Sequence, residues 1–410
     1  MNHSTTSKPA AALADQLAAS WAARANANDQ SDRFPVDDID DLRTSGLLGM
    51  LVPEHLGGMG CSFTDYVDVA MRLGAGSGAS ALLFNMHASV TGALAGVPDD
   101  VARALGVPES FFTTRDELLR RAAAGAMYGV AISERKSGSR LSALRTTYER
   151  TGAGFRLCGH KSTCSGAGHL DAYLVAARDA TSPTGSAPRI SYFIVPADAI
   201  GDVEQTWDPM GMRSTCSNGF TLDTTVDANT LVGVEGVALF LADSMPEWLV
   251  ASYAAVYVGV AQAALDAAVA YIQSTIVTEP TADAEMRDVP LSSSPWIRQR
   301  IGRAEAQVAA ARLVVEDAAR HVVAGPGESA SVRAVYRAKL VAGDTAFAVA
   351  SSLAEACGLG ALTRGATLER VLRDARSGAI MPPSSDIAAN VLGAYTLGVE
   401  PGDGLGMRPW

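Results

Sequence analysis

The feature that most constrains this chain is a change of hydrophobic period that happens twice. Up to about residue 125, apolar residues recur at helical spacing, as in "DDIDDLRTSGLLGML", "ASALLFNMHASVTGALA" (79–95) and "RDELLRRAAAG". From about 126 to 235, short runs of β-branched and aromatic residues take over, as in "MYGVAISE", "AYLVAARDA", "RISYFIVPA" and "GFTLDTTV". Within that stretch "ERTGAGFRL" reads as a hairpin, a glycine-containing turn between two strand-like runs. From about 236 the helical period returns. One long helix opens with Ser294 as N-cap and Pro295 at the first helical position. Another runs through "SASVRAVYRAKLVAGDTAFAVASSLAEACG" and is closed by Gly358. The expected fold class is α+β: an N-terminal all-α domain over 1–125, a middle β domain over 126–235, and a C-terminal four-helix bundle domain over 236–410.

Composition removes several classes of function. The 410 residues carry a net charge of −11 with no block of lysine or arginine, which argues against nucleic acid as a partner. The five cysteines, Cys61, Cys158, Cys164, Cys216 and Cys357, are scattered and form no CxxC pair. Structural zinc and a disulfide framework are not expected, and a reducing, cytoplasmic setting is. The N-terminal residues show no basic segment leading into an apolar one, so no signal peptide is expected. The apolar run 249–272 is long enough to span a membrane. It is rich in alanine rather than leucine and holds Gln262 and Asp266, so a buried core helix is the expectation.

The short motifs are weak. "LGAGSGAS" (73–80) has a G-x-G-x-x-A spacing, but a helical pattern precedes it where a dinucleotide site needs a strand; it reads as a helix break. The histidines show no metal-ligand spacing, and no metal is expected. His87, on an apolar helix, is either a satisfied core histidine or a pocket residue. Phe84 and Met86 beside it are candidates for lining a substrate pocket. In the polar loop 133–147, Ser139 and Gly138 offer a hydroxyl and backbone donors to a ligand.

Five segments in order resemble the acyl-CoA dehydrogenase superfamily: "LRTSGLLGMLVPEHLGGMG" (42–60), "AISERKSGSRLSALRTT" (131–147), "FRLCGHKSTCSGAGHLDAYLVAAR" (155–178), "TWDPMGMRSTCSN" (206–218) and "LERVLRDARSGAIMPPSSDIAANVLG" (368–393). The resemblance implies an acyl-CoA dehydrogenase-like fold holding noncovalent FAD, with FMN the second choice, in a homotetramer or homodimer. It also implies that Ile132 and Ser133 face the flavin ring and that Thr163 and Ser165 flank it. By the same resemblance Ser384 lies near the flavin diphosphate, and Ser139 near the arm of an acyl-thioester substrate.

The departures from the family pattern bear on the reaction. The loop that usually reads "EPGAGSD" is "ERKSGSR" here, with Arg135, Lys136 and Arg140 added, read as a solvated rim. A tryptophan beside the flavin is replaced by Thr163. The R-x-F-G motif expected after about 275 is replaced by a longer polar loop. Common members place a proton-abstracting glutamate at the turn after "RDA"; here that position is Pro382, which has no acid–base capacity. Members that carry the base elsewhere have it where this chain has Leu249. Glu247, two residues before Leu249, and Asp386, one helical turn after the prolines, are the candidate catalytic bases, each acting only with a shifted backbone.

Three functions are compatible with this pattern. The first is dehydrogenation of an acyl-CoA or carrier-bound acyl group by hydride transfer to flavin N5, without the usual glutamate, passing electrons to an electron-transfer flavoprotein. The second is a monooxygenase in which reduced flavin, supplied through a flavin reductase, meets O2 and oxygenates an amine or an aromatic ring. The third is a catalytically silent subunit of a hetero-oligomer.

Overall fold

The computed structural model describes residues 7–96, 98–104, 106–182, 188–238, 246–248, 251–280, 283 and 285–399. The first helices are α1 (Ser7–Ser31), α2 (Val36–Ser45), α3 (Phe63–Gly76), α4 (Gly78–Gly96), α5 (Asp99–Ala104) and α6 (Glu109–Ala123). Their boundaries follow from local chemistry. Gly46, in the left-handed region at φ 78°, closes α2. Ser62 and Asp65 form a reciprocal capping box that opens α3. The glycine-rich stretch 73–80 is a helix break, with Ser77 standing between α3 and α4.

The middle segment is an eight-stranded sheet. Its strands are β1 (Tyr128–Ala131), β2 (Thr147–Arg150), β3 (Gly154–Lys161), β4 (Ala172–Asp179), β5 (Ile190–Pro196), β6 (Val203–Glu204), β7 (Gly219–Asp227) and β8 (Leu231–Val232). The order is β6-β7-β3-β2-β4-β5-β8, with β1 parallel to β4. The expected hairpin is β2–β3, with Tyr148 opposite Leu157. Tyr148, Phe155 and Phe193 pack as a tilted aromatic cluster on one face.

Four long helices follow: α7 (Ala251–Ser274), α8 (Pro295–Ala324), α9 (Ser329–Cys357) and α10 (Thr367–Ile380), with α11 (Ser385–Leu397) against α9. Pro295 starts α8 behind Ser294, and Gly358 ends α9. By length and composition α7 and α9 are apolar enough to cross a membrane, but both pack within the bundle. Tyr253, Val256, Tyr257 and Ala261 of α7 are buried. One expectation changes: between α7 and α8 a two-stranded ladder, β9 (Ile276–Pro280) and β10 (Met286–Pro290), replaces the polar loop. Thr278 and Asp288 pair side chains across it.

The N-terminal helices and the bundle share one core through α3 and α7. An added Cβ on Gly259 would stand 2.3 Å from the Met71 carbonyl oxygen, and one on Gly74 would stand 2.5 Å from that of Val256. The two helices therefore meet backbone to backbone. Gly259→Ala is expected to force them apart at a cost of about 1–3 kcal/mol, read as a lower urea midpoint with unchanged slope. An unchanged midpoint would show that the contact yields freely.

Candidate active site

Where the sheet, α4 and the end of α10 converge they enclose a cleft of about 480 Å³. That volume is within the roughly 300–1,000 Å³ of small-molecule and cofactor sites. Each wall follows from its element. Strand β1 ends at Ala131, so Ile132 and Ser133 emerge at the sheet's edge and line the cleft. Strand β3 ends at Lys161, and Thr163 and Ser165 follow it into the same space. The helical side is apolar: Leu82 and Met86 of α4, Trp248, and Ile380, Met381 and Pro382 after α10.

The β side carries a directed chain of hydroxyls. Thr215 donates to the Met212 carbonyl at 2.9 Å, which commits its proton. Ser217, 2.7 Å away, must then donate to Thr215, and Ser165, 3.0 Å from Ser217, must donate to Ser217. Ser165 thus faces the cleft with lone pairs only. Thr163 and Met212, both at φ 55°, line the cleft in the left-handed region. That conformation is rare for side-chain-bearing residues and concentrates at ligand sites.

The floor is clamped by Arg373 and Asp374. Met212 N–H donates to Asp374 Oδ1 at 2.5 Å, and Asp374 Oδ2 lies 3.3 Å from Arg370. Arg373 donates to the Met210 carbonyl at 2.8 Å and pairs with Asp29 and Glu369. Gly211 is required here, since a Cβ would stand 2.3 Å from the Arg373 carbonyl oxygen. The loop 206–218 is thereby fixed to α10. The sequence pattern used "RDA" only as a landmark; its partners, Asp29 and Met212, are too far away along the chain to be read from it.

The expected site residues divide. Ile132, Ser133, Ser139, Thr163, Ser165 and Met86 all line the cleft, as does Pro382. Phe84 does not: it is fully buried beside Tyr66. His87 also lies outside the lining. Its Nε2 donates to the Leu48 carbonyl at 2.7 Å and its Nδ1 accepts from Tyr128 N–H at 3.0 Å. Burial lowers its pKa to about 4, so it is a neutral cross-tie between α4 and β1. Ser384 caps α11 by accepting from Ile387 N–H and does not line the cleft. Asp386 is exposed in the first turn of α11, where a carboxylate favours the helix dipole. Glu247 is buried, with no partner for Oε1 among the described residues, yet it is Trp248 beside it that reaches the cleft. Leu249 lies outside the described residues. On the rim, Arg135 is exposed and bonded to Glu204 at 2.8 Å.

Tyr253 and Trp207 are among the cleft residues that sequence reasoning did not single out. Tyr253, on the first turns of α7, donates to the Pro382 carbonyl and so holds the double-proline turn. Trp207 donates to the Met212 carbonyl at 3.3 Å. Among the described residues that line the cleft, the titratable groups are Arg373, Arg376 and Tyr253; no carboxylate and no imidazole is present.

Three family models match in order: "Acyl-CoA dehydrogenase, N-terminal domain" over residues 6–98, "middle domain" over 129–225 and "C-terminal domain" over 250–396. A protein named putative acyl-CoA dehydrogenase YdbM, from Bacillus subtilis (strain 168), is 27% identical over 378 residues, covering 90% of this chain and 91% of its own. The FMN-bound structure of TdsC from Paenibacillus sp. A11-2, a dibenzothiophene monooxygenase, has a TM-score of 0.81 at 24% identity, covering 95% of this chain and 97% of that one. A nitrososynthase from Micromonospora carbonacea var. africana has a TM-score of 0.80 at 24% identity, covering 97% of this chain and 98% of that one. The two structures establish the shared fold; the three matched models, which together cover most of the sequence, establish that this chain belongs to the acyl-CoA dehydrogenase family.

Proposed function

We propose that the cleft holds a reduced flavin and that the protein is a flavin monooxygenase acting on a small, largely apolar substrate. The coarser half of this reading, a flavin-dependent oxidoreductase, follows from the family. One observation carries the finer half: among the described residues that line the cleft there is no carboxylate and no imidazole to take an α-proton, and the residue that the resemblance aligns with the family's base is Pro382. Dehydrogenation of an acyl thioester needs that base. Oxygenation does not. A bound reduced flavin supplies two electrons to O2, so that one oxygen atom enters the substrate and the other leaves as water.

The residues present fit such a cofactor. The β side offers the hydroxyls of Ser133 and Thr163 and the acceptor oxygens of Ser165, Thr215 and Ser217. The helical side offers an apolar wall that excludes water. Neighbours solved with FMN support FMN beside FAD as the cofactor. On this reading the two electrons reach the flavin from NAD(P)H through a separate reductase.

The test loads the purified chain with FMN or FAD. A reductase, NAD(P)H and ¹⁸O2 are then supplied with amines, phenols and thiophenes. Incorporation of one ¹⁸O atom into a substrate is the expected result. The second reading, an acyl-thioester dehydrogenase, is favoured by curated relatives that bear that name over about nine-tenths of the chain. Anaerobic bleaching of the flavin by an acyl-CoA would establish that reading and overturn the monooxygenase. A loaded protein silent in both assays would support the inactive-subunit reading instead.

A further inference from the structure

Behind the cleft wall lies an ion pair that the proposed reaction does not use. Lys161 is fully buried and Glu134 is 4% exposed, with Nζ to Oε1 at 2.8 Å. Lys161 also donates to the carbonyl of Ile132 at 3.3 Å. Glu134 accepts from the N–H groups of Arg145 (2.7 Å) and Thr146 (3.0 Å). Burial alone would raise the Glu134 carboxyl, but the ammonium and the bonded N–H groups outweigh it and hold it below its ordinary value. Burial pulls Lys161 down, and the carboxylate beside it opposes that. A buried pair of this kind is a poor source of net stability, so its presence in this wall asks for another reason.

The position supplies one. Ile132 and Ser133 line the cleft, and Thr163 follows Lys161 by two residues and lines it too. Ser162 N–H donates to the Ser133 carbonyl at 2.8 Å, tying the two segments together. A planar trans peptide places its N–H on the side opposite its C=O. A lysine that holds the Ile132 carbonyl on the buried side therefore turns the Ser133 N–H the other way. We propose that the Lys161–Glu134 pair is a positioning device that aims the Ser133 N–H into the cleft as a hydrogen-bond donor to the cofactor. The inference rests on the flavin reading above. Lys161 fixes the peptide and polarises it, and Glu134 neutralises the lysine while anchoring the loop 134–146. A donor so aimed favours whichever redox state of the cofactor carries more negative charge there, namely the reduced one.

The test uses the full-length protein with FMN and FAD. Lys161→Met with Glu134→Gln replaces the ion pair by a neutral pair of similar bulk, which leaves melting within a few degrees of wild type. The expected result is flavin affinity at least tenfold weaker by fluorescence titration. The reduced state is expected to lose about tenfold more than the oxidised one. For a two-electron couple that is a midpoint potential lower by about 30 mV. A merely structural pair would leave the potential unmoved. A double variant that folds and matches wild type in both affinity and potential overturns the proposal while leaving the flavin reading intact. A wild-type protein that binds neither flavin overturns both. A second measurement needs no variant: amide exchange at Ser133 is expected to slow at least tenfold when flavin binds the wild-type chain, and an unchanged rate overturns the proposal.

Discussion

Replacing Asp374 with alanine is expected to cost about 3 kcal/mol of folding stability and to loosen the floor of the cleft. Asp374 is 3% exposed, paired with Arg370, and accepts the Met212 N–H. Removing it leaves a buried guanidinium short of its counter-charge and a backbone donor without a partner. Breaking a buried pair from one side costs about 3–5 kcal/mol. Burial pushes the Asp374 carboxyl up, and Arg370 and the Met212 N–H only partly pull it back. The pair is thus not strongly favourable, and the lower end of the range applies. Arg370 keeps one bond, to Asn26 Oδ1 at 2.8 Å, which also limits the loss. Chemical denaturation of the variant measures the cost. Asp374→Leu combined with Arg370→Met should recover part of it, because an apolar pair asks for no counter-charge. Flavin affinity should fall in the alanine variant as well, since Met212, Thr215 and Ser217 all hang on the loop that Asp374 secures. A loss under 1 kcal/mol with unchanged flavin affinity would show that the clamp does not hold the floor.

That clamp also shows where a sequence stops being legible. Features governed by neighbouring residues were readable. Ser294–Pro295 starts a helix, Gly358 stops one, and "ERTGAGFRL" pairs with itself, because each signal and its consequence lie within a few residues. The three-part layout was readable for the same reason, as a change of period. The walls of the cleft that follow directly from a strand end, at Ile132–Ser133 and Thr163–Ser165, were reached by resemblance and lie together in the structure.

What was not readable depends on partners brought from a distance. Arg373 looks like one charge in a helical run until Asp29 approaches from α1. His87 and Phe84 sit in the same helix as Met86, and a 3.6-residue period cannot say which face meets the cleft. Their directions are set by Leu48, Tyr128 and Tyr66, on other elements. The ladder 276–290 was hidden because it is largely exposed and so lacks an apolar alternation. Ser384 carries a helix cap, a duty that its Ser-Ser-Asp context announces as plainly as a ligand role.

The double proline has a structural explanation that leaves its chemistry absent. Tyr253 holds the Pro382 carbonyl, Tyr257 reaches Met381 Sδ at 3.0 Å, and buried Lys339 donates to the Gly378 carbonyl at 2.8 Å. The turn is therefore fixed from the bundle side, by backbone and sulfur contacts that do not require a glutamate at its apex. Ile380, Met381 and Pro382 of this turn line the cleft and make that part of its wall apolar.

Glu247 is a buried carboxylate next to the cleft-lining Trp248, and one variant decides both its energetic and its chemical role. It is 1% exposed, and burial pushes its carboxyl up to about 7 from an ordinary value of 4.5, its own backbone N–H pulling weakly the other way. A carboxyl raised on folding binds its proton more tightly in the folded state. Its folded form is therefore best off at low pH, and stability falls as pH rises from about 4.5 through about 7, then levels off. The difference corresponds to on the order of 3 kcal/mol lost by pH 8. Glu247→Gln removes the ionisation and keeps the shape. The variant should be more stable than wild type at pH 8, by up to about 3 kcal/mol. The two should differ by less than about 1 kcal/mol at pH 4.5. Greater stability of wild type at pH 8 would mean that the carboxylate has a partner in the folded protein. Turnover should stay within about threefold of wild type, because the side chain does not line the cleft. A loss of a hundredfold or more would instead make Glu247 the missing base and return the protein to dehydrogenation.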